Sequence, residues 1–179
     1  MNQAHIHLLL NHIPLVVAGV AALLLAVALV RKSAELKRVS FGLFVLAALI
    51  TIPVYLTGEP AEEIVENLPG VSGPIVEQHE RSALFSLIAI EVLGVVSLFG
   101  LFIYRRAAEL PKVFAVATLG LSIVAGGLTA WTANLGGQIK HPEIRSGALA
   151  SSTPTEASKT GEQAEGQAKS KREKNHDDD

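Results

Sequence analysis

The chain has 179 residues, of which 49% are hydrophobic but only 5% aromatic, and its formal net charge is −2 at pH 7. It contains no cysteine, which excludes disulfides, thiolate metal sites, iron–sulfur clusters and covalent haem attachment through Cys-x-x-Cys-His. The basic residues form no extended patch of the kind that binds nucleic acid. The sequence also lacks a phosphate-binding glycine loop and the common hydrolase motifs.

The apolar residues are gathered into four long blocks, which is the pattern of membrane-spanning helices. A helix needs about 20 apolar residues to cross a bilayer core of about 30 Å, and backbone groups in lipid have to pair internally. No block shows the period-two alternation of a membrane β-barrel. We therefore predict an all-α, four-helix transmembrane bundle with spans at about 8–30, 39–57, 83–104 and 113–135. Pro14 is expected to bend the first span near its beginning.

Charge in the loops predicts the orientation of the bundle. Because Met1–Leu10 lacks Lys and Arg, the first block is predicted to be a retained span rather than a cleaved leader. By the positive-inside rule, the two short loops rich in Lys and Arg face the cytoplasm, and both termini lie on the opposite, outer side. The basic residues of these loops are Arg31, Lys32, Lys37, Arg38, Arg105, Arg106 and Lys112.

The four-span membrane domain is predicted to occupy residues 1–145. From Ser146 onward the sequence is polar and has no apolar periodicity. Such a segment cannot bury enough apolar surface to fold alone, so residues 146–179 are predicted to be a disordered polar tail.

Histidine and glutamate residues cluster at the span ends predicted to lie on the outer side. His12 is placed about one helical turn inside the first apolar block, and His79 has a similar depth on the third span. On one continuous helix, His5 and His12 would share a face because they are seven residues apart. The histidines at this side are His5, His7, His12, His79 and His141.

Two kinds of cofactor would use such a layer. A b-type haem takes one or two imidazoles from facing helices, and the preferred axial pair is His12 with His79, with His141 as the substitute. A non-haem zinc, iron or manganese ion would use the same three histidines together with Glu59 and Glu63. Alternatively, these residues are ordinary polar groups at a membrane boundary.

Glu91 lies in the middle of the third span, where an ionisable group costs about 3 kcal/mol to insert. It follows Glu80 by eleven residues and so falls close to the same helical face, which predicts that it points into the bundle. It would serve as a proton relay beneath the outer site. The alternative is a structural hydrogen bond to a neighbouring helix, for example to Thr51 or Ser122.

Four short segments resemble a group of small bacterial four-span membrane proteins of unknown function. The segments are Leu-Asn-His-Ile-Pro at 10–14, Thr-Gly-Glu-Pro-Ala-Glu-Glu at 57–63, Gln-His-Glu at 78–80 and Gly-Gly-Gln-Ile-Lys-His-Pro-Glu-Ile-Arg at 136–145. The resemblance implies location in a bacterial inner membrane. It also adds weight to His12, His79 and His141 as a set.

The leading functional prediction is a membrane protein with a metal or haem site at its outer face that serves electron transfer or other redox chemistry. Its partners would be membrane lipid and a redox partner or other membrane subunits. One alternative is a structural or assembly subunit of a larger membrane complex, without a site of its own. Another is a proton-coupled transporter that uses Glu91.

Overall fold

The computed structural model describes residues 2–66, 68–106 and 110–145, and every regular element in those ranges is helical. The predicted polar tail, residues 146–179, lies outside the described residues. The described residues as far as Pro142 belong to one compact unit, which does not include Glu143–Arg145. The helices are α1 (Gln3–Leu10), α2 (Ile13–Arg31), α3 (Ala34–Leu56), α4 (Gly58–Val65), α5 (Gly73–Arg106) and α6 (Lys112–Lys140), with a short 3-10 turn at Pro142–Ile144.

Four helical segments within the described ranges are long and apolar enough to cross a membrane, which confirms the predicted fold class. The helix α5 begins at Gly73 rather than near Ala83, because its first turns are polar and hydropathy detects only its apolar remainder. The four segments are Gln3–Arg31, Ala34–Val65, Gly73–Arg105 and Lys112–Lys140.

Pro14 separates α1 from α2. A proline has no N–H to donate, and its ring collides with the carbonyl of the residue four positions earlier in a continuous helix. The helix α1 accordingly ends at Leu10, Asn11 and His12 form a turn, and α2 begins at Ile13. The predicted bend is confirmed. His5 lies in α1 and His12 in the turn that follows it, so their sharing of a helical face stays a prediction.

The four long helices form a ring in which consecutive helices are neighbours. The helix α2 packs against α3 and α6, and α5 packs against the same two helices from the opposite side. The centre of the ring is apolar. Its largest fully buried apolar side chains, each with 0% exposure, are Leu25, Phe41, Phe44, Ile90 and Leu93.

The polarity of the bundle is that of a protein surrounded by lipid. Large apolar side chains are exposed along the outside of all four long helices, whereas water-soluble proteins rarely expose contiguous apolar patches of that extent. Examples are Leu23 at 71%, Leu49 at 61%, Val95 at 66% and Ile123 at 66% exposure. Several hydroxyl groups are buried instead, on Ser40, Ser86, Ser97, Thr118 and Ser122. Sequence and structure together show a membrane protein.

The closest approach between α3 and α5 depends on Gly94. A Cβ atom built on Gly94 would collide with the Cβ atom of Ala48 on α3. That atom is bonded directly to the backbone, so it cannot rotate away. Gly42, on α3, has no neighbouring atom within 4 Å of its own Cβ position. Replacing each glycine by alanine therefore separates the cost of crowding the α3–α5 contact from the general effect of replacing a glycine within a helix.

We expect Gly94→Ala to destabilise the bundle and Gly42→Ala to have no steric penalty. Forcing an extra methyl group into a packed interface costs about 1–3 kcal/mol, because neighbouring backbone has to shift. The measurement is the thermal unfolding midpoint of each variant in detergent. Equal midpoints for Gly94→Ala and the unsubstituted protein would show that α3 and α5 are not in close contact at this position.

Candidate functional site

The structure places the predicted ligands His12 and His141 at exposed positions. His12 immediately precedes α2, where its side chain makes no capping hydrogen bond, and His141 immediately follows α6. Glu59 and Glu63 are exposed residues of α4. Across residues 2–66, 68–106 and 110–145, no three or more His, Asp or Glu side chains are arranged to hold a metal ion. Ligation by the predicted set stays a prediction.

His79 is the predicted ligand with the most defined surroundings. Its half-buried ring lies against α6, where Nδ1 is 3.0 Å from the carbonyl oxygen of Thr132. A Cβ atom on Gly136 would lie 3.1 Å from Cε1 of the ring, so the absence of a side chain at Gly136 makes room for the imidazole. One turn of α6 thus supplies both an anchor and a space for His79.

A cluster of hydroxyl groups lies on the same α5–α6 interface as His79. Thr132 Oγ1 donates to the carbonyl of Leu128 at 3.1 Å, which uses its only proton. The Ser82 and Ser86 hydroxyls, the second at 2.8 Å, therefore donate to Thr132 Oγ1. Thr132 fixes the position of His79 through its carbonyl and the positions of two serines through its hydroxyl.

His7 is a second anchored imidazole, and sequence reasoning did not select it. The ring belongs to α1, and its Nδ1 lies 2.9 Å from the carbonyl oxygen of Val54 in the last turn of α3. The Thr57 hydroxyl also donates to this oxygen at 3.0 Å, so His7 and Thr57 share the Val54 carbonyl near the end of α3. Thr57 Oγ1 is 3.4 Å from the same nitrogen, and Cε1 of the ring is 3.7 Å from the Cβ position of Gly58.

These two hydrogen bonds determine the tautomer of both rings. A carbonyl oxygen can only accept, so Nδ1 is the donor in His7 and in His79. In a neutral imidazole the other nitrogen, Nε2, then carries a lone pair and can accept a proton or bind a metal. An Nδ1–H bond to a backbone carbonyl is also a common way in which a metal-binding histidine is oriented.

Carboxylates lie beside the anchored imidazoles. Glu62 of α4 is within electrostatic range of Glu59, Glu66 and Glu80. Glu80 is adjacent in sequence to His79, and α4 packs on both α1 and α5. The acidic side chains give this end of the bundle a negative potential that favours cations.

Glu91 lies beside the inward face of α5 rather than on it, because Ile90 and Leu93 occupy that face with 0% exposure. Its side chain is half-buried, and Oε1 is buried without a hydrogen-bond partner among the described residues. The Thr51 and Ser122 hydroxyls each donate to a carbonyl of their own helix. The structure therefore does not contain the alternative hydrogen bond to Thr51 or Ser122.

No protein-family model, curated protein or solved structure matches this chain.

We expect Gly136→Ala to displace the His79 ring, because the new methyl group would lie 3.1 Å from Cε1 and the ring would have to move by a few tenths of an ångström. Gly127→Ala, also on α6, is the matched control, since no atom lies within 4 Å of that Cβ position. Nuclear magnetic resonance of protein labelled with nitrogen-15 histidine would follow the rings. A shift of His79 signals in both variants, or in neither, would contradict the contact.

Proposed function

We propose that this protein binds a haem or a non-haem transition metal through histidine at one end of its membrane bundle and serves electron transfer. The observation that carries the proposal is the geometry of His79. Its imidazole is half-buried beside α6 and anchored through Nδ1, which leaves the Nε2 lone pair available to a metal. Imidazole is a common ligand of haem iron and of zinc and iron ions.

The surroundings of His79 support a ligand site over an ordinary boundary histidine. A residue that only faces water needs neither a glycine opposite its ring nor a backbone anchor on another helix, and His79 has both. The nearby carboxylates add attraction for a cation. A redox partner would reach the site from the aqueous side, because the bundle end that carries it also carries the polar α4 segment.

We expect purified protein to contain a chromophore or a stoichiometric metal, and His79→Ala to lose it. The oxidised and reduced absorption spectra, with metal analysis of the same sample, measure both. His141→Ala is measured in the same way, because His141 is an exposed histidine that the sequence predicts to be a ligand. A protein that has no absorbing group and no metal, and that takes up neither when supplied, would overturn the proposal.

The histidine-bearing end faces the outer side of a bacterial inner membrane in this proposal. The support is the excess of Lys and Arg in the two loops at the other end of the bundle. Because the chain has no cysteine, single cysteines can report accessibility without background labelling.

We expect Glu66→Cys to react with a membrane-impermeant thiol reagent in intact spheroplasts and Glu35→Cys to react only after lysis. Both side chains are exposed in the structure, so the membrane alone would separate their reactivity. The reverse pattern would place the histidine-bearing end in the cytoplasm.

Glu91 supports a second candidate function, proton-coupled transport. A carboxyl oxygen buried within a membrane span without a hydrogen-bond partner among the described residues has no structural role that explains its insertion cost. In this candidate Glu91 exchanges protons as a substrate or ion crosses.

We expect Glu91→Gln to abolish proton-coupled uptake in proteoliposomes while leaving the thermal unfolding midpoint nearly unchanged, because the amide has almost the same shape but cannot ionise. Proton flux equal to that of the unsubstituted protein would remove this candidate.

A further inference from the structure

The end of the bundle opposite the histidines carries the Lys and Arg residues of the two short loops, and we call it the basic end. We propose that a groove between α3 and α5 at this end binds one anionic phospholipid, with Arg38 and Arg105 on the headgroup phosphate and an acyl chain on the apolar surface beneath them. The inference is independent of the proposed metal or haem site, because it uses no residue of the histidine-bearing end.

Arg38 of α3 is directed towards α5 by an aromatic ring. Its guanidinium carbon lies 5.5 Å from the centroid of the Tyr104 ring, which is within the range of a cation–π contact. Tyr104 is itself buried, with 7% exposure, and packs on Phe41 of α3 with ring centroids 6.3 Å apart. Because the guanidinium contacts a ring rather than an acceptor atom, its N–H donors remain available to an anion.

Arg105 brings a second guanidinium to the same level of the groove. It follows Tyr104 directly in α5. It is also eleven residues after Gly94, so it falls close to the helical face on which Gly94 meets Ala48 of α3. Both arginine side chains are exposed. The axes of packed helices are about 8–10 Å apart, so two long side chains at one level of α3 and α5 can reach the same phosphate.

The two positive charges are not neutralised within the described part of the chain. Neither guanidinium forms a salt bridge with a carboxylate of the described residues. Glu35, one turn before Arg38, is not paired with it, and Lys37 adds a further positive charge beside it. Like charges at one level of a bundle repel one another, and a phosphate between them replaces that repulsion with charge-assisted hydrogen bonds.

The surface beneath the arginines is apolar and has a notch at Gly42. Gly42 lies one turn after Arg38 on the same face of α3, and no atom is within 4 Å of its Cβ position. On α5, Leu98 is seven residues before Arg105 and shares its face, with 57% exposure. A cationic site directly above exposed apolar surface matches a phospholipid, which joins a phosphate to hydrocarbon chains. A free phosphate would leave the apolar part of the groove unused.

Lys32 provides a control that is matched in charge. It is exposed and lies in the α2–α3 turn, at the end of a helix that packs on α3 and α6 rather than on α5. The negative surface potential of a membrane attracts all basic residues at this end in about the same way. A single bound lipid depends on the two arginines of the groove instead, so the two explanations differ in which substitutions weaken binding.

The test is native mass spectrometry of the full-length protein in detergent, titrated with phosphatidylglycerol and separately with phosphatidylcholine. We expect one phosphatidylglycerol to bind per chain, and phosphatidylcholine, whose headgroup has no net charge, to bind much more weakly. Arg38→Gln and Arg105→Gln should each weaken phosphatidylglycerol binding by at least about tenfold, as loss of a charge-assisted hydrogen bond does. Lys32→Gln should weaken it by no more than about fivefold, the general attraction of one cation to an anionic surface.

Two further substitutions separate the headgroup from the acyl chain. Arg38→Lys keeps the charge but loses the forked donors of the guanidinium, so we expect weaker binding than in the unsubstituted protein. Gly42→Leu should weaken binding by filling the notch, whereas Gly19→Leu, at an equally open position on α2, should not. These side chains lie outside the core, and the thermal unfolding midpoint of each variant checks that the bundle is intact.

Equal losses in Arg38→Gln and Lys32→Gln would overturn the groove site and leave only general attraction to an anionic surface. Equal binding of the two phospholipids would overturn the role of the arginines. Inorganic phosphate that binds as tightly as phosphatidylglycerol, with the same dependence on Arg38, would overturn the assignment to a lipid. None of these outcomes would affect the proposed function, which is tested by the metal and chromophore content of the protein.

Discussion

The structure depends on the requirement that backbone hydrogen-bonding groups in a lipid environment be satisfied within the protein. Four long helices meet this requirement along their length, and helix ends are where it becomes difficult. At the end of α3, the His7 ring and the Thr57 hydroxyl both donate to the Val54 carbonyl. At α6, the Thr132 carbonyl takes a second donor from His79. The imidazoles are thus held by the same groups that the membrane forces the chain to satisfy.

The packing of the bundle determines where such rings can lie. Small residues let the helices approach, and Gly94 brings α5 against α3 where any side chain would collide with Ala48. Gly136 has a different role, because its missing side chain is replaced by the His79 ring rather than by another helix. Gly94 therefore permits contact between helices, whereas Gly136 makes room for an imidazole.

The hydropathy of the blocks and their lack of period-two alternation are sufficient to predict the four helices, because lipid requires long uninterrupted apolar blocks. They do not predict where the polar ends of the helices lie. The first turns of α5 are helical but polar, so hydropathy does not mark where that helix begins. Pro14 predicts the bend, but it does not predict how the side chains on either side of the turn are oriented.

Side-chain anchoring was the part of the site that no sequence pattern could give. The depth of His79 in its span points to this residue, but its bond to Thr132 joins residues 53 positions apart. No local pattern points to His7, because its partner Val54 is 47 positions away. The position of Glu91 likewise depends on packing that spacing alone does not predict. Its spacing from Glu80 places both residues on one face of α5. That face lies beside the core, because Ile90 and Leu93 occupy the inward face.

The turn before Pro14 sets α1 apart from the buried part of the bundle. None of its residues is buried, and it packs mainly on α4 and α3. The His7 bond to the Val54 carbonyl therefore ties to α3 a helix that has no buried residue of its own.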